Sequence, residues 1–505
     1  MKKINSAFIS VFNKENLEPL VSLLLKLNIK LYSSGGTKIA LEKLGCKVTS
    51  VEDITQYPSI LGGRVKTLHP KVFGGILNRR DKKSDSEDLE KYDIPSFDLV
   101  IVDLYPFEDT VKNNANEDEI IEKIDIGGIS LIRAAAKNYK DVMIIPCKEL
   151  IPNCTSIIEK NNGFSSLEER LFFAKKAFEI SSHYDTNIFS WLSNNSDESL
   201  KISISESKIL RYGENPHQKG IYYGKLNEVF KKLNGKEISY NNLLDIDAAI
   251  NLINDCKEPT FAILKHNNTC GIAIDKSVLK AWDKALAGDP ISAFGGILIT
   301  NQEIDYDVAN SINKLFFEII LSPKYTTESL EILKSKKNRI ILKINDLSLK
   351  DKNQYRSILT GILAQEKDIL IDKEENLEKI TKLKPSKSQI EDLLFASTIC
   401  KHTKSNAIVL VKNKQLIGIG CGQTSRIDAL KQAIEKAKKF KFDLKNCVMA
   451  SDAFFPFPDC IEIAAKENIS AVIQPGGSIN DKLSIDCCNK NNISMVLTKT
   501  RHFKH

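Results

Sequence analysis

An apolar run, Phe261-Ala-Ile-Leu, ends abruptly in the polar tip Lys265-His266-Asn-Asn-Thr-Cys270 and a glycine turn at Gly271 before Ile-Ala-Ile resumes it. A neutral imidazole beside a lysine exchanges protons near pH 7, and the ammonium stabilises developing negative charge. Taken alone, the same residues fit a solvated Lys and a hydrogen-bonded His at a strand end. A second constellation is Ser33-Ser34-Gly35-Gly36-Thr37. Placed between a strand and a helix, it offers backbone N–H groups and a helix N-terminus to an anion. Its spacing is neither that of a Walker A loop nor that of a dinucleotide fingerprint. A third is Gly62-Gly-Arg64-Val-Lys66-Thr67-Leu-His69-Pro70-Lys71, followed by Phe73-Gly-Gly-Ile. Glycine pairs on both flanks suggest close backbone approach to a ligand. Downstream, Asp125 and Lys137 fit an acid–base couple or a structural salt bridge. Only ten of the 72 basic residues are Arg. Arginines kept in so Lys-rich a chain mark places needing a planar fork, and Arg64, Arg133, Arg211, Arg426 and Arg501 all lie in motif-like stretches.

Alternating elements must position these groups. Residues 4–12 read as a strand delivering Ser10, with Lys14 just beyond. Asn16–Leu27 reads as an amphipathic helix, 29–33 as a strand, and 38–44 as a helix capped by Gly45. Phe97–Leu104 reads as a buried strand leading to Asp103 and Tyr105. This alternation through residue 150 predicts an α/β domain with a mostly parallel sheet. A helix over about 165–192 follows, and Ser193–Ser207 reads as a linker, which puts the domain boundary near 200. In the second half Leu210-Arg211-Tyr212-Gly213 forms a rigid polar loop, and Ser239 to Asp245 precedes a helix. The Lys265-His266 strand, a helix at 276–287 and Ser292-Ala-Phe294-Gly295-Gly296 then follow. A similar order recurs: a strand from Asn406, a Gly418–Gly422 strand, a helix headed by Gln423-Thr-Ser425-Arg426, then Ser451-Asp452-Ala-Phe-Phe-Pro-Phe457 and Gly-Gly. This predicts an internal duplication. Residues 325–390 read as Lys/Glu-rich connecting structure with one strand near 358–363.

At 505 residues the chain has room for two to four domains. A net charge of +7 over that length implies mild basicity and no nucleic-acid surface. Eleven cysteines without a C-x-x-C pair read as reduced thiols of a cytoplasmic protein. No apolar run has the length of a membrane span.

Ser-Gly-Gly-Thr, Gly-Arg-Val-Lys-Thr-Leu-His-Pro, Leu-Tyr-Pro-Phe, Ile-Asp-Ile-Gly-Gly, Arg-Ala-Ala-Ala-Lys-Asn, Leu-Arg-Tyr-Gly-Glu-Asn-Pro-His-Gln, Lys-His-x-Asn, Ser-Asp-Ala-Phe-Phe-Pro-Phe and the Arg-His-Phe-Lys-His end occur in this order. From Ser10 to His505 the chain resembles the bifunctional purine-biosynthesis family. That family joins an aminoimidazole-carboxamide ribotide (AICAR) formyltransferase to an inosine-monophosphate (IMP) cyclohydrolase. The resemblance implies an α/β architecture. A methylglyoxal-synthase-like cyclohydrolase domain would span 1–199, and a formyltransferase domain of two cytidine-deaminase-like subdomains would span 200–505. It implies 10-formyltetrahydrofolate as co-substrate, no catalytic metal, and AICAR, formyl-AICAR, IMP and folate as ligands. It also implies a cytoplasmic homodimer that binds neither nucleic acid nor membrane.

By the same resemblance, Lys265 and His266 would be the transferase pair, with Asn406 orienting the reacting amine or carboxamide. Arg211 and Arg501 would grip the ribotide phosphate. Tyr212, Asn242, Phe294, Gly295, Phe457, Asp459 and His505 would line the site, and Gln423, Ser425 and Arg426 would contact nucleotide or folate. In the first domain Ser10, Lys14, Ser34, Gly35, Gly36, Thr37, Arg64, Lys66 and Thr67 would bind formyl-AICAR. Lys66, Tyr105, Asp125 and Lys137 would serve ring closure. Phe12, Asn13, Asp103, Thr269, Pro458 and Cys460 depart from the family pattern, and Asp103 would repel a phosphate if close to one. A zinc deaminase is excluded because its His-x-Glu and Pro-Cys-x-x-Cys signature is absent. A nucleotide-binding protein that retains one or neither activity is the remaining alternative.

Overall fold

In the computed structural model, residues 1–193, 199–345 and 353–505 are described, and they form two compact units, Met1–Ser205 and Glu206–His505. Residues 194–198 of the expected linker and 346–352 of the expected connecting stretch lie outside the described residues.

Unit one is built on five short strands: β1 (Ser6–Ser10), β2 (Lys30–Ser33), β3 (Val48–Ser50), β4 (Leu99–Val102) and β5 (Met143–Ile145). They lie in the order β3-β2-β1-β4-β5 and every pair is parallel. Parallel strands are covered on both faces, so Leu99-Val-Ile-Val102 is apolar throughout and fully buried. Helices α1 (Leu17–Lys26), α2 (Gly35–Lys43), α3 (Pro70–Leu77), α4 (Gly127–Lys137) and α5 (Leu167–Leu192) supply the cover. Strand order reverses at β1, so a crevice opens beyond the C-terminal ends of β1 and β4. Helix α2 starts at Gly35, earlier than the expected 38, which makes Gly35, Gly36 and Thr37 its first turn. The second glycine pair, Gly74-Gly75, is not a ligand approach. It lies within α3, where a Cβ on Gly75 would collide with the Pro95 carbonyl.

Among the described residues unit two is built on a sheet of twelve strands, with two separate two-stranded ribbons, one of them pairing Ser207–Ile209 with Ile221–Tyr223. Its first half comprises β6 (Phe230–Asn234), α6 (Tyr240–Asn254), β7 (Thr260–Lys265), β8 (Asn268–Ile274), α7 (Val278–Gly288), β9 (Ile297–Thr300), β10 (Ile319–Ser322) and β11 (Ile340–Ile344). An exposed hairpin, β12 (Asn353–Ile358) with β13 (Gly361–Glu366), and the short β14 (Glu378–Lys379) come next. The second half holds α8 (Lys387–Lys401), β15 (Ile408–Lys412), β16 (Gln415–Gly420), α9 (Arg426–Lys439), β17 (Val448–Ser451), β18 (Ala471–Gln474) and β19 (Ser494–Leu497). The sheet order is β6-β11-β10-β9-β7-β8-β16-β15-β17-β18-β19-β14, with β8 and β16 antiparallel at the junction.

The two halves repeat each other in detail. In each, a helix leads to a hairpin, a helix, a strand antiparallel to the hairpin's first strand, and two more strands parallel to that one. Both hairpins turn on two left-handed residues, His266 and Asn267 (φ 51° and 62°) and Asn413 and Lys414 (φ 53° and 55°). Such a turn matches the twist of the flanking strands. Both carry a bulge, at Ile263/Leu264 and at Leu410/Val411. Gly271 opposite Ile263, and Gly418 opposite Leu410, let a helix close on the sheet. A Cβ there would collide with the carbonyl of Ala285 on α7 or of Ala433 on α9. Gly271→Ala is therefore expected to destabilise unit two by about 1–3 kcal/mol, read as a lowered denaturation midpoint.

Three sequence expectations need correcting here. Gly271 is not the turn of the Lys265-His266 hairpin; His266 and Asn267 are. Tyr240 to Asp245 do not precede a helix but form its first turns, with Ser239 as the capping residue. The stretch 325–390 is not merely connecting: Ile340–Ile344 is a buried strand between β6 and β10, and Thr327–Lys334 is helical. Lysines flanking Ile340-Ile-Leu hid it, because they sit at the solvated strand ends. The strand expected near 358–363 straddles the β12–β13 turn at Leu359-Thr360.

Candidate active sites

At the crevice of unit one lies a cavity of about 680 Å³, lined from β1, α2, the 62–67 loop, Asp103, Tyr105 and the 121–128 segment. It gathers Ser10, Lys14, Ser34, Gly36, Thr37, Arg64, Lys66, Thr67, Tyr105 and Asp125. Gly35 adjoins it, since a Cβ there would lie 3.7 Å from Lys66 Nζ. The Ser34 hydroxyl is buried and has no hydrogen-bond partner among the described residues. An unpaired polar group beside the first turn of α2 is what a bound phosphate oxygen would satisfy. Thr37 plays another part: its hydroxyl donates to the Val11 carbonyl at 2.9 Å and accepts the Val11 N–H at 3.1 Å. Lys14 Nζ likewise donates to the carbonyls of Val11 and Phe12. Asp103 accepts the N–H groups of Phe12 and Asn13, so its carboxylate anchors this loop. Asp103 also lines the cavity, and burial raises its pKa against the lowering effect of those N–H donors. The Phe12 ring meets Tyr105 edge-on at 5.4 Å, and Lys123 Nζ lies 5.8 Å from both ring centroids.

Asp125 sits at the head of α4, and its Oδ1 accepts the Gly128 N–H at 2.6 Å. A Cβ at 128 would strike the Asp125 carboxylate and displace it. Burial raises the Asp125 pKa, against the lowering effect of the Gly128 N–H and the Lys66 charge. Burial, and then the Asp125 charge, raise the Tyr105 pKa. A carboxyl that holds its proton more readily than usual suits an acid role. Arg64 forms an ion pair with Glu122 at the cavity mouth. Lys137 is not brought to this cavity. It ends α4, exposed, about 15 Å along the helix from Gly127.

In unit two the expected residues form two clusters. The first surrounds the β7–β8 tip. Lys265 Nζ donates to the Phe294 carbonyl at 2.8 Å, and the Phe294 and Phe316 rings lie 5.1 Å apart. Gly295 (φ 73°) donates its N–H to the Phe316 carbonyl, and the Asn242 amide donates to Glu318 at 3.3 Å. The second cluster lies at the start of β15 and the end of β16. The Asn406 side chain donates to the Gln423 carbonyl at 2.9 Å, Ser425 caps α9, and Arg426 pairs with Asp452 at 2.9 Å. Asp459 opens the helix Asp459–Lys466, and Phe457 is exposed beside it. Pro458 precedes that helix, where a missing N–H leaves no intrahelical bond unmade. Antiparallel pairing of Ala273 with Gln415 puts the His266 tip and Gly420–Gln423 at the same end of the sheet. The β7 and β15 positions are three strand spacings apart, roughly 14 Å. Arg211 lies over the Tyr212 ring at 5.5 Å, in the loop closed by the Gly213 N–H to Gln218 O bond.

The terminal segment carries Arg501 and His505, and the Arg501 guanidinium lies 4.3 Å from the Phe503 ring centroid. It is tied down: Lys504 O accepts the Ser405 N–H, and His502 Nδ1 pairs with Asp368 at 2.6 Å. Burial pulls the His502 pKa down, but hydrogen bonds to Asp368 and Asp372 and their charges outweigh it and raise the value to about 9. A raised folded-state pKa contributes stability that is complete below the unfolded value, about 6.5, and lost as pH climbs through 9. Backbone hydrogen exchange at 501–505 is therefore expected to speed up across that window beyond the intrinsic rate, and His502→Gln should show the faster exchange already at pH 6.5.

Sequence reasoning did not assign Lys123, Glu122, Asp245 or Glu318. Glu318 was detectable as the one charge between Phe316-Phe317 and the apolar β10; the others had no local signal.

Residues 16–130 match the family described as an MGS-like domain, and residues 135–436 match the AICARFT/IMPCHase bienzyme. A Bacteroides thetaiotaomicron protein named "Bifunctional purine biosynthesis protein PurH" is 56% identical over 504 residues, covering 100% of this chain and 99% of that protein. The chain belongs to the AICARFT/IMPCHase bienzyme family. Proteins of the same name from Caldicellulosiruptor bescii and Aquifex aeolicus are each 44% identical, covering 99% of this chain and 99% and 100% of theirs. The family thus spans both units, and the MGS-like match covers β2, β3 and β4 of the parallel sheet of unit one. Among the described residues no three His, Cys, Asp or Glu side chains are grouped to hold a metal ion, and no helix is long and apolar enough to cross a membrane.

Proposed function

We propose that this chain catalyses the last two steps of IMP synthesis: formyl transfer from 10-formyltetrahydrofolate to AICAR, then dehydrative closure of formyl-AICAR. The observation that carries this reading is the pairing, in one family member, of an anion-ready cavity in unit one with a Lys-His hairpin tip in unit two. The cyclohydrolase is assigned to residues 1–199 and the transferase to 200–505, whose repeated halves we take as cytidine-deaminase-like.

In the transferase the AICAR amine attacks the formyl carbon, forming a C–N bond and a tetrahedral oxyanion. His266 takes the amine proton. Lys265 neutralises the oxyanion, and collapse breaks the bond to the folate nitrogen, which leaves with the proton that His266 returns to it. The amine is a poor nucleophile, so placed charge and proton transfer must each supply several orders of magnitude. Asn406 orients the amine or carboxamide, while Arg211 and Arg501 grip the phosphate bidentately. Tyr212, Asn242, Phe294, Gly295, Phe457, Asp459 and His505 line the site, with Gln423, Ser425 and Arg426 toward nucleotide or folate. In the cyclohydrolase the carboxamide nitrogen attacks the formyl carbon and gives up a proton as the formyl oxygen gains one. The resulting hydroxyl then leaves as water with a proton from Asp125, which regains one from the formamide nitrogen as the C=N bond forms. Tyr105 and Lys66 stabilise the charge that develops. Closure is intramolecular, so holding the folded substrate by its phosphate does much of the work. Lys137 enters this step only from outside the cavity described.

A homodimer fits the separation of the two clusters in unit two and the exposed hairpin β12–β13, whose Leu359, Ile362 and Leu363 face solvent. An isolated two-stranded hairpin is marginal in water, and a partner surface would stabilise it. A cytoplasmic location completes the reading. The test is to mix purified protein with AICAR and 10-formyltetrahydrofolate and follow formyl-AICAR and IMP. Absence of both products overturns the enzyme assignment. IMP from supplied formyl-AICAR alone reduces it to one activity.

A further inference from the structure

The repeat in unit two allows a comparison within one molecule. Thr300 on β9 lies opposite Phe261 of β7, and Ser451 on β17 lies opposite Ile408, the matching residue of β15. The residues that follow, Asn301 and Asp452, therefore hold the same place in the two halves. Asn301 fastens the segment that enters β7: its Oδ1 accepts the Thr260 N–H at 2.9 Å, and its Nδ2 donates to the carbonyls of Cys256 at 3.0 Å and Glu258 at 2.8 Å. Asp452, 2% exposed, engages side chains instead. Its Oδ2 accepts the Ser405 hydroxyl, and its Oδ1 accepts Arg426 Nη2 at 2.9 Å. Its backbone carbonyl accepts the His502 N–H at 3.3 Å. Burying a carboxylate is costly unless it is paired, and the first half shows that a neutral amide is enough to fasten such a segment. The charge in the second half has a further task.

We infer that Asp452 is a positioning residue for the transferase, holding Asn406 through Ser405, the Arg426 guanidinium directly and Arg501 through His502. This inference rests on the transferase reading of Asn406, Arg426 and Arg501. Those three residues come from separate segments: the entry to β15, the head of α9 and the C-terminal tail. Asp452, at the end of β17, is bonded to all three segments, and Ser405 and His502 are the chain neighbours of Asn406 and Arg501. The segments also brace one another, since Ser405 N donates to Lys504 O at 2.8 Å and the Asn406 side chain donates to Gln423 O. A ligand that is to react must meet these groups at fixed relative places, because a misplacement of about 1 Å costs up to 10²-fold in rate.

The test uses the full chain. Asp452→Asn installs the residue that the first half carries at this place. It should lower kcat for formyl transfer by about 10- to 100-fold and leave ring closure in unit one unchanged. Ser405→Ala should lower the same kcat, and Ser405→Thr, which keeps the hydroxyl, should return it toward wild type. A double-mutant cycle separates positioning from a loss of stability: in an Asn406→Ala background, Ser405→Ala should lower kcat no further, because the group it places is gone. Amide hydrogen exchange needs no turnover. In Asp452→Asn it should quicken at Ser405, Asn406 and His502, while the amides within β15 and β17 keep their wild-type rates. Unchanged transfer in Asp452→Asn overturns the inference, as does a fully additive loss in the double mutant. Should Asp452→Asn fail to fold, the Ser405 variants and the cycle decide by themselves. If the wild-type chain transfers no formyl group, the functional reading fails separately, and exchange still decides whether Asp452 holds these segments.

Discussion

His266→Ala is expected to lower formyl transfer by about 10²–10⁴-fold and to leave ring closure of supplied formyl-AICAR at the wild-type rate. The first effect follows from the lost proton acceptor at the β7–β8 tip. The second follows because Lys66, Tyr105 and Asp125 all lie in unit one. His266 has φ 51°, and Ala is strained in that left-handed region by roughly 1–2 kcal/mol. Asn tolerates the region better, so His266→Asn separates chemistry from turn geometry. Both variants should lose transfer while their denaturation midpoints differ. Measuring each product separately in the two variants checks this, and loss of both activities in a folded protein would contradict the two-site assignment.

Lys66→Ala is expected to do the reverse. Removing one charge-assisted hydrogen bond to an anionic ligand costs about 1.5–3 kcal/mol, or roughly 10- to 100-fold in formyl-AICAR affinity. The Lys66 charge also lowers the Asp125 pKa, against the burial that raises it. Without the lysine, Asp125 should keep its proton to higher pH, and the limb of the ring-closure profile set by its ionisation should move upward. Formyl transfer should be unaffected. Steady-state kinetics of each half-reaction across pH checks the pair of effects, and an unchanged ring-closure KM would contradict a binding role for Lys66.

The sequence was most legible where one local rule governed. The alternation of apolar strands with amphipathic helices in unit one follows directly from burial on both sheet faces. The duplication was visible in the order of Gly-Gly and Ser-Ala-Phe strings, although its physical markers are a bulge and a helix–sheet contact at Gly271 and Gly418. Ile340–Ile344 was obscured because a short buried strand between lysine clusters has little periodicity to read. In the candidate sites, Ser34, Lys66 and Asp125 stand in strings whose composition suggests anion chemistry. Asp245 and Asp392 stand in ordinary helical sequence. Yet Asp245 accepts the Asn267 N–H and Asp392 those of Asn413 and Lys414, contacts set by turns more than twenty positions away in sequence. Lys137 shows the converse: nearness in sequence to Asp125 becomes distance along a helix.

The junction of β8 with β16 has a consequence for synthesis of the chain. A nascent polypeptide that has completed β8 must translate residues 275–414 before Gln415 can pair with Ala273. Until then, the edge of Asn268–Ile274, with its apolar Ile272-Ala273-Ile274 end, is open to any other strand. Unpaired apolar edges are where chains aggregate or exchange strands. The similar hairpin β15–β16 of another molecule is the natural candidate for that exchange. Release from the ribosome with only the first repeat made would therefore leave that apolar edge exposed.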